Sequence, residues 1–386
     1  MGTLTDTHDD SPSSLHQWLQ RQARRHGADV ALRHKHLGIW QVRTWGQLAD
    51  EVQRLAAALQ ARGFSVGATL TIISRPRPQA LLAALAAQWL GGVASLFDPL
   101  EPAPEQTQLL GALQPDFVLV EGAEEILRLQ AASVTAQVLV YLDPRGLPQA
   151  LPAVQALDYA TLVAHQSTAS QAPPTHAQPT AFVFFRQGAQ GPEQQCLSHA
   201  ELLQDGERLV TREALGRQDE ALAARAFASG GQARYLLAPW LVAGFCLNFP
   251  ESLATRDRDR RELGPTLVAG TRDTYERLHG YVLERLPKPG GWARRLVDWA
   301  LAPAPGVLQR QLGGWLVRRP LRDVLGFTRT RIPLVVGEAL RPETQAFFQR
   351  LGIQVRHWGD VSHWQAPPTP VELTPDDWRE RQSQLA

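Results

Sequence analysis

The feature that most constrains this chain is an alternation of two kinds of apolar segment. Short runs rich in β-branched and aromatic residues, ATLTII (68–73), VASLF (93–97), DFVLV (116–120) and QVLVY (137–141), alternate with longer stretches of helical spacing. The stretch TWGQLADEVQRLAAALQARG places Leu48, Val52, Leu55, Ala56 and Leu59 on one helical face, with Thr44 as N-cap and Gly63 and Gly67 at its end. PQALLAALAAQWL (78–90) and the segments near 104–113 and 123–131 are the intervening helices. Strands that read as continuous apolar runs are buried on both faces, and strand–helix alternation makes their sheet parallel with helices on each side. The apolar run Ala80–Phe97 carries Gln88, Ser95 and the pair Gly91-Gly92, so it reads as a buried helix and a buried strand rather than a membrane span.

The pattern resumes after a polar, Pro-rich stretch. Residues 166–180 read as a linker between a first α/β subdomain (14–165) and a second (181–365), with 1–13 disordered and 366–386 a tail. TAFVFF (180–185), TLVAG (266–270), RIPLVV (331–336) and IQVRH (353–357) are strands of the second unit, separated by helices near 272–285, 292–302, 307–324 and 341–351. A formal net charge of +1 gives no global field for nucleic acid. Two cysteines, Cys196 and Cys246, exclude a disulfide scaffold and a Cys-rich zinc site and fit a reducing cytoplasm. The polar, acidic N-terminal stretch has neither a basic n-region nor an apolar h-region, so no signal peptide is expected. Only Lys35 and Lys288 are lysine, so any chemistry needing an ammonium has two positions to draw on.

Several segments, in order, resemble the adenylate-forming (AMP-binding) superfamily, specifically its long-chain acyl-CoA synthetase branch. TWGQLADEVQRLAAALQARG followed by RPQALLAALAAQWLGGVASLFDPL is similar to that family's N-terminal helix–strand–helix–strand. TAFVFFRQGAQGPEQQCLSHAEL sits where the family has its phosphate loop, and NFPESLATRDRDRRELGPTLVAGTRDTYERL resembles the segment ending in its Pro-Arg…Glu-Arg pattern. PLRDVLGFTRTRIPLVVGEALRPETQAFFQRLGIQVRHWG, with Gly337 at the strand–glycine–helix turn, resembles the approach to its Tyr-Gly-x-Thr-Glu motif. The likeness covers about residues 40–362. It implies two sheet-containing subdomains like the large N-terminal part of an acyl-CoA synthetase, with the small C-terminal domain missing, since only 363–386 follow the last motif.

Such enzymes form an acyl-adenylate from a carboxylic acid and ATP, then pass the acyl group to coenzyme A. That needs phosphate-binding hydroxyls, a cation and Mg²⁺. Against the family loop YTSGTTGxPKG this chain has Phe185-Arg186-Gln187-Gly188-Ala189-Gln190-Gly191-Pro192-Glu193. Gly188 and Gly191 keep the glycines, the hydroxyls are gone, and with one residue deleted the lysine position carries Glu193. Two like charges at about 4 Å repel by about 4 kcal/mol at an effective dielectric of 20, so Glu193 opposes a triphosphate. Arg186 is the cation that could replace the lysine. At the second motif Trp358, Gly359, Asp360, Val361 and Ser362 stand for Tyr-Gly-x-Thr-Glu. Trp358 keeps an aromatic surface, and Asp360 is a carboxylate two residues before the lost glutamate.

The leading expectation is therefore a pseudoenzyme with no catalytic residues and no metal, a vestigial nucleotide site at Arg186, Gln187, Gly188, Gly191, Glu193, His199, Gly337, Trp358, Gly359 and Asp360, and a role in binding an acyl ligand, acyl-CoA or an active synthetase partner. The alternative is an active fatty acid–CoA ligase using ATP, Mg²⁺ and coenzyme A, with Arg186 and Asp360 as substituted ligands. His199 reads as a core or capping histidine, Cys196 as a buried thiol, Lys35 and Lys288 as surface charges, and RDRDRRE (256–262) as a solvated helix face. His357 and His363 lack metal-ligand spacing. A third reading starts from ten cations between Arg285 and Arg331, opposed only by Asp298 and Asp323 and interleaved with Trp292, Trp299 and Trp315. Arg294, Arg295, Arg318, Arg319 and Arg322 could face an anionic membrane at the inner leaflet or an acidic partner, or the stretch could be a solvated face over a Trp-rich core.

Overall fold

The computed structural model describes residues 12–164, 179–302, 306–360 and 363–367. The expected disorder at 1–13, the 166–180 linker and the 366–386 tail therefore lie almost wholly outside the described residues, as do Val361 and Ser362.

Fourteen strands among the described residues form two mixed sheets. In chain order they are β1 (Val30–His36), β2 (Ile39–Thr44), β3 (Thr69–Ile73), β4 (Val93–Phe97), β5 (Phe117–Val120), β6 (Ala136–Tyr141), β7 (Ala153–Asp158), β8 (Thr180–Gly188), β9 (Gly191–Ser198), β10 (Glu220–Leu222), β11 (Cys246–Phe249), β12 (Leu267–Gly270), β13 (Ile332–Val336) and β14 (Arg356–Trp358). One sheet has the order β7-β6-β5-β3-β4-β8-β9, the other β14-β13-β12-β10-β11-β1-β2. All neighbours are parallel except β8–β9 and β1–β2, each an antiparallel pair at a sheet edge. The expected α/β architecture is present, but the sheets do not divide the chain at 166–180. β1 and β2 join the sheet of the C-terminal half, while β8 and β9, beyond that segment, complete the sheet begun at β3. Strand pairing across the molecule overrides order along the chain. The strand expected at 353–357 is also shorter and later, at 356–358.

The central core explains this weave. Helix Pro78–Trp89 has Pro at its first turn and buries every residue from Ala80 to Trp89. A helix apolar on all sides needs neighbours on all sides. It lies in one continuous core with the inner faces of both sheets, from Leu70 and Ile72 to Leu247 and Leu334, and with helices Leu15–His26 and Trp45–Gln60. Thr44 and Gln47 form a reciprocal capping box at the start of the latter helix, as the sequence suggests for Thr44. Trp45 stacks on Trp240 at 4.8 Å, and the Trp240 indole N–H donates to the Ala31 carbonyl at 3.0 Å. Separate apolar clusters cover the outer faces of the two sheets, one around Ile126 and Leu129, the other around Tyr275 and Phe348. The order of layers is helix–sheet–helix–sheet–helix.

Two buried polar arrangements tie distant segments together. Lys35 is not a surface charge. It is 4% exposed, and its ammonium donates to Asp259, fully buried, at 3.0 Å, and to Glu262. Asp259 also accepts from the Thr255 hydroxyl at 2.6 Å and the Glu251 amide at 3.1 Å. The RDRDRRE segment is accordingly not a solvated face: Asp259 and Arg260 turn inward. In the second arrangement the His199 ring Nδ1 accepts from the Leu15 amide at 3.3 Å, and the His16 and His199 rings meet edge-on at 6.0 Å. Burial pushes the His16 imidazolium down to about 4; burial and then the neighbouring His16 push His199 down to about 3.

Lys35→Met leaves Asp259 buried without its cation, and a loss of about 3–5 kcal/mol in denaturant-derived unfolding free energy is expected. The two histidines are neutral in the fold but take up protons on unfolding below about pH 6.5. Stability should therefore be full above that pH and fall as pH drops toward 4, by up to about 1.4 kcal/mol per pH unit for each histidine. Thermal melts of wild type and His199→Gln from pH 7 to 4.5 check this: the variant's curve should be the shallower of the two.

Candidate functional site

In parallel sheets the carboxyl ends of the strands face loops free to bind ligands. Here the carboxyl ends of β3, β4, β5 and β6 meet those of β1, β10 and β11 across a trough. Three adjoining cavities of about 370, 240 and 430 Å³ share Leu100 and Leu253, then Arg77 and Glu251, along its length. The first is lined by Asp98, Glu101, Arg225 and Arg256. The second has apolar walls from Leu100, Leu253 and Ala254. The third is bordered by His34, Arg77 and Arg145.

The trough's charges are organised by a few pairs. The buried carboxylate of Glu121, at the end of β5, accepts from Arg75 at 2.9 Å and from Arg77 at 2.8 Å. These guanidinium groups hold its pKa below the ordinary range despite burial. Arg77 also lies 3.2 Å from His34 Nε2, and burial followed by Arg77 pushes the His34 imidazolium down to about 4. Arg225 donates to Thr271 Oγ1 at 3.0 Å. Glu101, exposed at the edge of the first cavity, is pushed up to about 7 by desolvation against the cavity wall and then by the charges of Asp98 and Glu105. None of these trough residues was among the sequence candidates. Each follows the last apolar residue of a strand, and only the sheet order reveals which strand ends face one another.

The expected glycine-bearing loop is a tight antiparallel hairpin. β8 continues through Arg186 and Gln187 to Gly188 and turns over Ala189-Gln190, while Arg186 faces Glu193 across the ladder. Arg186 Nε donates to Glu193 Oε2 at 2.7 Å. Gly191 has φ +130°, open to glycine, and a Cβ on Gly188 would lie 2.5 Å from the Glu193 carboxyl. The small residues thus let the Glu193 side chain fold across the hairpin. On its other side the Arg186 guanidinium stacks 4.4 Å from the Trp364 ring, and Gln194 and Gln365 exchange backbone hydrogen bonds of 2.7 and 3.0 Å. The Gln187 side-chain oxygen is buried without a hydrogen-bond partner among the described residues.

The second group of candidates gathers at β13 and β14. Gly337, at φ +84°, donates its amide to the Trp358 carbonyl at 3.0 Å, while its own carbonyl lies 2.6 Å from His357 Nε2. The Trp358 ring is buried against Tyr235 at 5.5 Å, with the Arg212 guanidinium 4.8 Å from its centroid. Its indole N–H has no partner among the described residues. Tyr235 donates its hydroxyl to the Gly359 carbonyl at 2.8 Å. Asp360 Oδ1 lies 2.7 Å from Arg234, a cation 10% exposed that also reaches Asp205 at 3.2 Å. His199 is the structural histidine described above. Cys196 is exposed, contrary to the buried thiol expected, because its outward position alternates with buried Gln195 and Leu197 on β9. No cluster of three or more His, Cys, Asp or Glu side chains suited to a metal ion occurs among the described residues.

The chain is similar in fold to apo MatB from Rhodopseudomonas palustris (TM-score 0.64, 17% identity, covering 89% of this chain and 59% of that one). It is also similar to the adenylation domain of the carboxylate reductase of Mycobacterium chelonae (0.66, 14%, 90% and 57%). A third likeness is to the fatty acid AMP ligase of Legionella pneumophila (0.58, 14%, 89% and 53%). The chain spans less than two thirds of the length of each of these. No curated protein matches it. The family model described as AMP-binding enzyme matches residues 19–360, and with most of its length so covered this chain belongs to the AMP-binding enzyme family.

Proposed function

We propose that this chain is a pseudoenzyme of the AMP-binding family: it does not activate ATP, and it acts by binding an acyl ligand in the trough between its two sheets. The observation that carries this is the Arg186–Glu193 pair. The cation that might have replaced the loop lysine lies 2.7 Å from a carboxylate, so the hairpin offers a triphosphate no net charge. The pair is half exposed and holds by at most about 1 kcal/mol, so Arg186 could swing away, but Glu193 would remain and repel. Asp360 fits Mg²⁺ no better. Its carboxylate is already held by Arg234 at 2.7 Å in a mostly buried pair. The residues present thus do not suit a nucleotide–metal complex, and no step is derived through one.

The acyl reading rests on the middle cavity, with its apolar walls, opening beside Arg225 and Arg256, which suit a carboxylate head. It also rests on the resemblance to the long-chain acyl-CoA synthetase branch.

Calorimetric titration separates the readings. MgATP is expected to give no saturable heat at millimolar concentration, whereas octanoate should bind saturably and at least tenfold more weakly to Arg225→Gln. Saturable MgATP binding abolished by Arg186→Ala would overturn the pseudoenzyme reading of the hairpin and revive the ligase alternative.

A further inference from the structure

The basic, tryptophan-bearing stretch does not cover a tryptophan core, because Trp292, Trp299 and Trp315 are exposed. Helix Trp292–Ala300 packs on the helical run that begins at Val307, where Gly313 meets Ala300 so closely that a Cβ on Gly313 would lie 3.0 Å from the Ala300 methyl. The run passes through a π-helical turn at Gly314–Arg318 and continues as Arg319–Leu325. The sides turned away from this contact are apolar and open to solvent. Trp292 is 80% exposed, Trp315 68%, Leu308 70% and Val307 75%, with Leu312, Leu316 and Trp299 between 40% and 46%. Leu308, Leu312, Trp315 and Arg319 follow one another at helical i, i+3 and i+4 spacing, so they share a face.

The charges sort into two groups. Arg318 donates to the Ala300 carbonyl at 2.8 Å, Arg322 to the Leu351 carbonyl at 2.7 Å, and Arg294 pairs with Asp298 at 2.9 Å. Arg318 and Arg322 join separate elements, whereas the Arg294 pair is an exposed one within a single helix. Arg295, Arg310 and Arg319 are exposed, and no hydrogen bond or ion pair engages their guanidinium groups among the described residues. The other local carboxylate, Asp323, is taken by Arg261 at 2.8 Å.

We propose that this face docks on an anionic lipid bilayer, with Trp292, Trp315, Leu308 and Leu312 entering the headgroup boundary and Arg295, Arg310 and Arg319 meeting the lipid phosphates. Exposed tryptophans and leucines beside uncompensated arginines match the two layers of such a surface, an apolar interior under a negative plane. The inference does not depend on the pseudoenzyme reading.

Co-sedimentation of the full chain with vesicles of phosphatidylcholine alone and of equimolar phosphatidylcholine and phosphatidylglycerol tests it. Binding is expected to the anionic vesicles and to weaken as salt is raised. Arg295→Gln/Arg310→Gln/Arg319→Gln should lower the partition coefficient roughly a hundredfold, at about 1 kcal/mol per arginine. Trp292→Ser/Trp315→Ser should lower it at least tenfold even at low salt. All five positions are exposed, so unchanged melting temperatures would show that the variants fold. Absence of binding to anionic vesicles, equal binding to both compositions, or binding unaffected by both variants would overturn the proposal. So would a concentration-dependent dimer that is dispersed by Trp292→Ser/Trp315→Ser and does not bind vesicles, which would make the face a contact between copies of this chain.

Discussion

The fold depends on burying one helix, Pro78–Trp89, on every side. Its alanines and leucines leave no face for water, so both sheets and the helices beside it must close around it. At about 25 cal/mol per Å² of apolar surface, each large side chain in that layer contributes on the order of 2 kcal/mol. The cost of an exposed helix face enforces the five-layer order and draws β1 and β2 away from their chain neighbours into the other sheet. Polar groups in this layer are few: Gln88 donates to the Ala181 carbonyl at 3.0 Å, while its own side-chain oxygen and the indole N–H groups of Trp45 and Trp89 have no partner among the described residues. The carboxyl ends of both sheets consequently face each other, and the trough exists because the central layer spaces them.

At the hairpin and at β14, the available charge is decided by pairs rather than by single residues. Arg186 is a cation of the right type at a plausible place, but Glu193 and Trp364 hold its guanidinium between them. Asp360 is likewise a carboxylate with Arg234 already upon it. The contrast in burial matters. The first pair is weak because water screens it, while the second is costly to separate because water is largely excluded. Both withdraw from a ligand a charge that the residue types alone would offer.

The strands and helices of the N-terminal half were legible because their apolar runs are long and sharply bounded: helix 123–131 and strand 93–97 lie where the spacing places them. β9 was not legible, because its residues Gly191–Ser198 carry no apolar alternation and form a strand only by pairing with β8. Motif order supplied the residues of the hairpin and of β14 as candidates, and the structure adds their partners, Glu193 on Arg186 and Arg234 on Asp360. The trough was not legible, since its lining comes from loop residues far apart in the chain.

The sequence by itself determined the α/β class and the principal helices with the Thr44 cap, since these rest on local spacing and residue chemistry. Only the tertiary structure decided which charges are free. Lys35 and Arg260 lie buried, Arg318 and Arg322 are tied to carbonyls, and Arg295, Arg310 and Arg319 are left to solvent beside exposed tryptophans. The reason is physical: a side chain's charge is local, but its partner, its screening and its exposure are set by segments brought together from elsewhere in the chain.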